Sequence, residues 1–166
     1  MGRVRQDARP SHVLAVDVLV WDDAGHVLML RATRRPDLVL PGGRVGPGES
    51  PGRAGVRHVT DETGLHVELG RLLVVEHVAA NGDAPAGVHL VFDSAPPGSC
   101  PRLSLRENET VEAQWLLPFD AVRRHGSVGR ARITAAFAAR RLGATRYLDP
   151  GAVPHDRARS IPGPSV

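Results

Sequence analysis

The sequence predicts an α/β fold: a mixed β-sheet held between helices in an α/β/α sandwich. Two observations carry that reading. Apolar, β-branched runs recur on both sides of one strongly signalled central helix, and an alanine-rich helical pattern closes the domain. A length of 166 residues suits a single hydrophobic core. The expected domain covers residues 12–148. An irregular segment, 1–11, precedes it, and a Pro/Gly-rich C-terminal tail, 149–166, follows it.

The elements follow in order. Residues 13–21 are almost wholly apolar and read as a buried strand. Asp22-Asp23-Ala24-Gly25 is a turn, so residues 26–31 return as a second strand and form a hairpin with the first. A short extended piece at 38–40 enters a glycine-rich loop. Ser50 suits an N-cap, Pro51 the first helical position and Gly64 the residue past the end, which predicts a helix over 51–63. Residues 67–78 form a long, bent strand, and 88–92 and 111–116 are two more. Helices follow at 118–125 and 130–142, the second stopped by Gly143.

Composition excludes several classes. Hydrophobic residues are 42% and charged residues 23%, ordinary globular usage. No apolar run approaches the roughly 18 residues of a membrane span. The first residues lack the apolar stretch of a secretory signal, and a single cysteine, Cys100, forms no internal disulfide. A cytoplasmic protein with no membrane association is expected. All 21 basic residues are arginine, but they are scattered, net charge is +3 and aromatics are 4%, which argues against a nucleic-acid partner.

Chemistry concentrates between Leu40 and Leu65. On a helix over 51–63, Arg57, His58, Asp61 and Glu62 lie three or four apart and share one side. Asp61 and Glu62 are adjacent carboxylates whose repulsion a hard divalent ion would relieve, with substrate phosphates completing its shell. The glycines before the helix let backbone approach closely, so that the Gly43 carbonyl could face that metal.

Gly43, five residues, Glu49, seven residues, Arg57, then Val59, Glu62, Gly64 and Leu65 resemble the box of the Nudix hydrolase family. Two positions depart from it: His58 stands where the family has Glu, and Asp61 where it also has Glu. The resemblance spans residues 12–148 and implies a Nudix-type sandwich with a mixed sheet. It implies Glu62 as the principal ligand of a catalytic Mg²⁺, Asp61 as its neighbour, and Arg57 and Glu49 as structural members of the box. At His58 it leaves three roles open: a base, a nitrogen ligand favouring Mn²⁺, or none.

Further acids would come from outside the box. Glu107, Glu109 and Glu112 precede Trp115, similar to the Glu-rich strand of Nudix proteins, and either Glu109 or Glu112 is a candidate for positioning the water. Arg31, Arg34, Arg35 and Arg44 are candidates for gripping a phosphate. Trp21, Trp115 or the loop 79–86 could contact a base. No zinc spacing, nucleophile elbow or Walker loop is present; Ser50 is a cap. The resemblance thus implies a metal-dependent hydrolase. It would cleave the diphosphate bond of a nucleoside diphosphate linked to another group, acting on a small nucleotide-type substrate. The alternative is a non-catalytic nucleotide-binding or regulatory module with a degenerate box. Dimers are common in such proteins, so a homodimer stays open.

Overall fold

The computed structural model describes residues 12–33, 36–82, 85–95, 102–105, 110–149 and 160–161. Its elements are β1 (Val13–Leu19), β2 (Val27–Ala32), β3 (Leu38–Val39), β4 (Gly42–Arg44), α1 (Pro51–Thr63) and β5 (Leu69–Val78). They continue with β6 (Gly87–Ser94), β7 (Thr110–Leu116), α2 (Pro118–Arg124), α3 (Ser127–Leu142), β8 (Thr145–Leu148) and β9 (Ser160–Ile161). A six-stranded sheet runs β4-β1-β6-β5-β8-β9, and a three-stranded sheet runs β3-β2-β7. The larger sheet is mixed: β1 pairs parallel with β6 and β5 parallel with β8, whereas β4, β6 and β9 make antiparallel pairs with β1, β5 and β8.

The expected α/β/α sandwich is therefore present, with local differences, among them a strand, β8, that the sequence did not lead us to expect. The hairpin of β1 and β2 exists only at its tip, where Trp21 bridges Val27 and the Leu28 N–H donates to the Val20 carbonyl at 2.9 Å. Beyond that tip the strands part into separate sheets, because β1 finds β6 and β2 finds β7. The glycine-rich stretch contains a short edge strand, β4. Part of the tail also returns to the sheet, with Ser160 and Ile161 paired to Arg146 and Thr145.

Alternation along β1 decides which helix covers which face. An ideal Cβ on Gly55 of α1 would stand 3.1 Å from Val18 and 3.5 Å from Val16, so the even-numbered side chains face α1. Val18, Val20, Leu28, Leu30, Val59 and Leu65 form the core there. The odd-numbered set, Val13, Ala15, Asp17 and Leu19, faces the side of α3. On that side Leu19, Met29, Val74, Val91, Ile133 and Ala136 pack together. Each fully buried aliphatic contributes about 1.5–3 kcal/mol, which fixes the strand register. α3 covers the Leu19 end of this face and reaches Asp17 through Arg132, and a cleft lined by Val13, Ala15 and Asp17 lies beside it.

Candidate active site

α1 starts and stops where its sequence dictates. Ser50 Oγ accepts from the Arg53 N–H at 3.3 Å, Pro51 takes the first turn, and Gly64 ends the helix at φ 72° with its N–H on the Thr60 carbonyl. Such a cap contributes about 1 kcal/mol. Inside the helix, residues four apart form two parallel rows. One row is Arg57 and Asp61, with Nη1 3.8 Å from Oδ2. The next is His58 and Glu62, with Nδ1 3.7 Å from Oε1. Asp61 turns outward with Arg57, and Glu62 turns inward with His58, about 100° around the axis.

Arg57 also holds the loop before the helix. Its Nε donates to Glu49 Oε1 and its Nη2 to Oε2, both at 2.8 Å, while the Gly46 N–H donates to Oε2 at 3.0 Å. The Arg57 hydrogen bonds first, and the Gly46 N–H second, hold the Glu49 carboxyl down at about 2.

The strand β4 meets α1 through its backbone. Val18 N–H donates to the Pro41 carbonyl and Val45 N–H to the Leu14 carbonyl, each at 2.9 Å, and Gly43 lies midway, opposite Val16. Antiparallel ladders alternate, so the polar groups of Gly43 point at β1, while those of Gly42 and Arg44 point the other way, toward α1. Two bonds mark this. The Gly42 N–H donates to Glu62 Oε2 at 3.3 Å, and His58 Nε2 lies 2.9 Å from the Arg44 carbonyl. The expectation that the Gly43 carbonyl faces a metal is thereby corrected: the ladder turns it to Val16. Gly43 instead leaves room for His58, whose ring lies 2.5 Å from where a Cβ would stand.

A carbonyl only accepts, so His58 Nε2 carries a proton toward Arg44, and Nδ1 faces Glu62. Both side chains are largely buried, at 18% exposure. Glu62, Gly42, Gly43 and Arg44 form one lip of a cleft of about 880 Å³ that crosses the uncovered face of the sheet to the start of α3. Asp61 does not line it.

Other expected residues lie elsewhere. Arg31 Nε is paired with Glu112 Oε2 at 2.9 Å, and Gln114 donates to the other carboxylate oxygen, so neither Arg31 nor Glu112 reaches the cleft. Glu107, Glu109, Arg34 and Arg35 lie outside the described residues. Thr110 does line the cleft. Trp21 donates to Asp93 at 3.0 Å, stacks edge-on with Phe137 and carries Arg140 at 4.2 Å, away from the cleft. Trp115 packs on the core beneath α1. Of the loop 79–86, Pro85 is a lining residue.

The sequence reading passed over a charged group on the cleft floor. Arg132 Nη1 donates to Asp17 Oδ2 at 3.0 Å, and its Nε donates to Glu76. His89 Nδ1 stands 3.8 Å from Asp17 Oδ2. The available signal was weak: Asp17 is the one charge in β1, but Glu76 shares β5 with Arg71 and Arg132 is one of four arginines in α3.

A mixed sheet between helices, with a glycine strand and a capped helix bringing a carboxylate to a cleft, defines a Nudix-type α/β/α protein. The chain belongs to the Nudix family: the NUDIX domain model matches residues 11–137. It is 30% identical over 153 residues to a MutT-like protein of Streptomyces ambofaciens, covering 92% of this chain and 90% of that one. Over 50 residues, 30% of each chain, it is 48% identical to human diphosphoinositol polyphosphate phosphohydrolase 3-alpha. Its fold matches that of a MutT protein from Methanosarcina mazei with a TM-score of 0.65 at 20% identity, over 82% of this chain and 99% of the other.

Proposed function

We propose that this chain is a metal-dependent hydrolase that cleaves the diphosphate bond of a nucleoside diphosphate linked to another group, by attack of water at phosphorus. The observation that carries the reading is Glu62 at the lip of the cleft, with one oxygen on the Gly42 N–H and the other 3.7 Å from His58 Nδ1.

Nudix hydrolases generally use divalent metals, and the donor set here fits an open site. Among the described residues no three acidic, histidine or cysteine side chains are placed to hold a metal ion by themselves. Glu62 and His58 supply one carboxylate and one nitrogen, as suits an ion that takes its remaining ligands from phosphate and water. Mg²⁺ is the proposed ion, and Mn²⁺, which accepts nitrogen more readily, is the alternative that His58 favours. A bound ion supplies charge neutralisation on the phosphoryl oxygens.

The chain's own groups do the rest. Glu62 and His58 would hold the ion beside the glycine strand, and Arg44, exposed on the same lip, offers its guanidinium to a phosphate oxygen. Glu109 takes the water's proton; its support is its place beside Thr110, which lines the cleft, whereas Glu112 is committed to Arg31. The reading carries with it a cytoplasmic enzyme acting on a small nucleotide-type diphosphate.

The test is release of phosphate or nucleotide from a panel of nucleoside diphosphate derivatives, with Mg²⁺ and then Mn²⁺, comparing wild type with Glu62→Gln. Loss of several kcal/mol of transition-state stabilisation predicts a fall of about 100-fold or more in kcat. No wild-type turnover with either ion, alongside nucleotide binding, overturns the hydrolase and leaves a binding module.

A further inference from the structure

We infer that the outer edge of β7 pairs with the same edge of a second copy of this chain, antiparallel and centred on Gln114, and so joins two three-stranded sheets into one. The inference goes beyond the proposed function and does not rest on it.

An edge strand presents a row of main-chain N–H and C=O groups that another chain can pair with, and folds shorten, cover or blunt such edges. Three of the sheet edges here are short: β3 and β9 have two residues each and β4 has three. The outward groups of β4 are taken by α1, through Glu62 on the Gly42 N–H and His58 on the Arg44 carbonyl. β3 is bridged by His125 at Leu38. β7 is the exception. It is seven residues long, and among the described residues no strand pairs with its outer side and nothing bonds to its outer main-chain groups. Its one charge does not guard the edge, because Glu112 is held sideways by Arg31 of β2.

The ladder fixes which groups face out. Leu28 turns its N–H to Val20, away from β7, so Trp115 opposite it turns its own N–H and C=O away from β2. Ala113, two residues earlier, does the same, while Glu112, Gln114 and Leu116 bond inward. The register shifts between Arg31 and Ala32, which leaves Val111 as an extra residue, and such a bulge ends regular pairing. The straight run of the open edge is therefore 112–116, and its middle residue is Gln114.

A two-fold pairing uses that whole run only when Gln114 meets Gln114. Ala113 then faces Trp115 of the second copy and Trp115 faces Ala113, each pair exchanging both N–H···O bonds. Centring on Glu112 would set two carboxylates opposite each other. Centring on Ala113 would leave the Leu116 end of each run facing the bulge. The side chains agree with the Gln114 register. Ala113 and Trp115 are both partly buried against the core under α1, and a small residue opposite an indole gives it the room to complete that burial. Each Gln114 amide gives one N–H to Glu112 and accepts from Arg124, which leaves one N–H and one lone pair for its counterpart. Leu117, extended and 53% exposed, adds an apolar side chain at each end of the run. Thr110, beyond the bulge, stays with the cleft.

So short a run makes a small interface, and the association is reversible, half complete at on the order of 10–100 µM. The test is sedimentation velocity of the full chain from about 5 µM to about 500 µM. Wild type should move from the mass of one chain toward that of two. Gln114→Glu and Gln114→Lys each set like charges across the axis, about 4.5 Å apart at Cα, and each should weaken association about ten-fold or more. Mixed in equal amounts, the two variants should associate at least as tightly as wild type, because an acid then opposes a base. Only the register centred on Gln114 gives that rescue, and high salt should diminish it.

Ala113→Pro removes an outward N–H and leaves the bonds to β2 whole, so it should abolish the dimer without unfolding the chain. Thermal melts check that each variant folds. A single species of one-chain mass at every concentration overturns the inference. So does a dimer that Ala113→Pro or either charge leaves unchanged, or a mixture that associates no more tightly than its parts.

Discussion

Arg57 grips Glu49, eight positions earlier in the chain, with two parallel hydrogen bonds of 2.8 Å that tie the loop after the glycine strand to α1. The contact closes the loop onto the helix and so sets the height of Gly42 against Glu62. It also makes the loop pH-sensitive. Glu49 has its folded pKa lowered to about 2, so its contribution is fully present above the unfolded carboxyl range near 4.5 and fades as pH falls toward 2. We predict that the melting temperatures of wild type and Glu49→Gln differ at pH 7 and converge between pH 4.5 and 2. Parallel curves over that range would contradict the pairing.

Gly43 and His58 make a second test. A Cβ on Gly43 would sit 2.5 Å from the His58 ring, inside any real contact distance. We predict that Gly43→Ala is destabilised by about 1–3 kcal/mol, as overpacking usually is. His58→Ala removes the obstruction, so the double variant should recover most of that loss. Chemical denaturation of the two single variants and the double variant measures the coupling, and simple additivity would show that the ring does not fill that space.

How much of this was legible in the sequence depends on which force set each part. α1 was read to the residue because Ser50, Pro51 and Gly64 act locally, through caps and backbone angles that a short window contains. The strand β4 was read as loop, since Gly42-Gly43-Arg44 has no strand propensity and is extended only because β1 pairs with it. The hairpin was half right for the same reason: its turn is local, but the partners of β1 and β2 beyond Trp21 are distant in sequence. On α1, the pairing of His58 with Glu62 and of Arg57 with Asp61 followed from spacing. The outward turn of the second pair did not, because neighbouring residues on a helix diverge by about 100°. The direction of the Gly43 carbonyl needed a ladder register. The Asp17–Arg132–Glu76 group needed three elements to meet.

Arg132 gives the strongest stability prediction. It is 7% exposed and joins α3 to two strands through Glu76 and Asp17. Removing the cation leaves two carboxylates facing each other in a poorly solvated place, which typically costs about 3–5 kcal/mol. We predict a loss of that order in Arg132→Met by urea unfolding, and partial recovery when Glu76→Gln is added, because one of the orphaned charges goes with it. A loss below about 1 kcal/mol would mean that water reaches the carboxylates.

The two histidines near that group set the acid limb of stability. Burial is the largest influence on both and lowers their pKa; for His125 the bond from Nδ1 to the Gly126 carbonyl, at 3.0 Å, works against it without overcoming it. A histidine whose folded pKa is depressed binds its proton more readily in the unfolded chain. Its effect on stability is therefore nil well above the unfolded value of about 6.5 and becomes a penalty as pH falls below it, levelling off only below the folded pKa. Each such histidine contributes at most about 1.4 kcal/mol of lost stability per pH unit in that window. We predict that unfolding free energy declines from pH 7 to pH 5, and that His89→Gln flattens the decline by removing one of the two protons. His125→Gln should do the same at some cost in packing, since His125 lies against the Gly129 backbone, 2.1 Å from where a Cβ would stand. Denaturant titrations at half-unit pH steps measure both slopes, and an unchanged slope in His89→Gln would place that proton elsewhere.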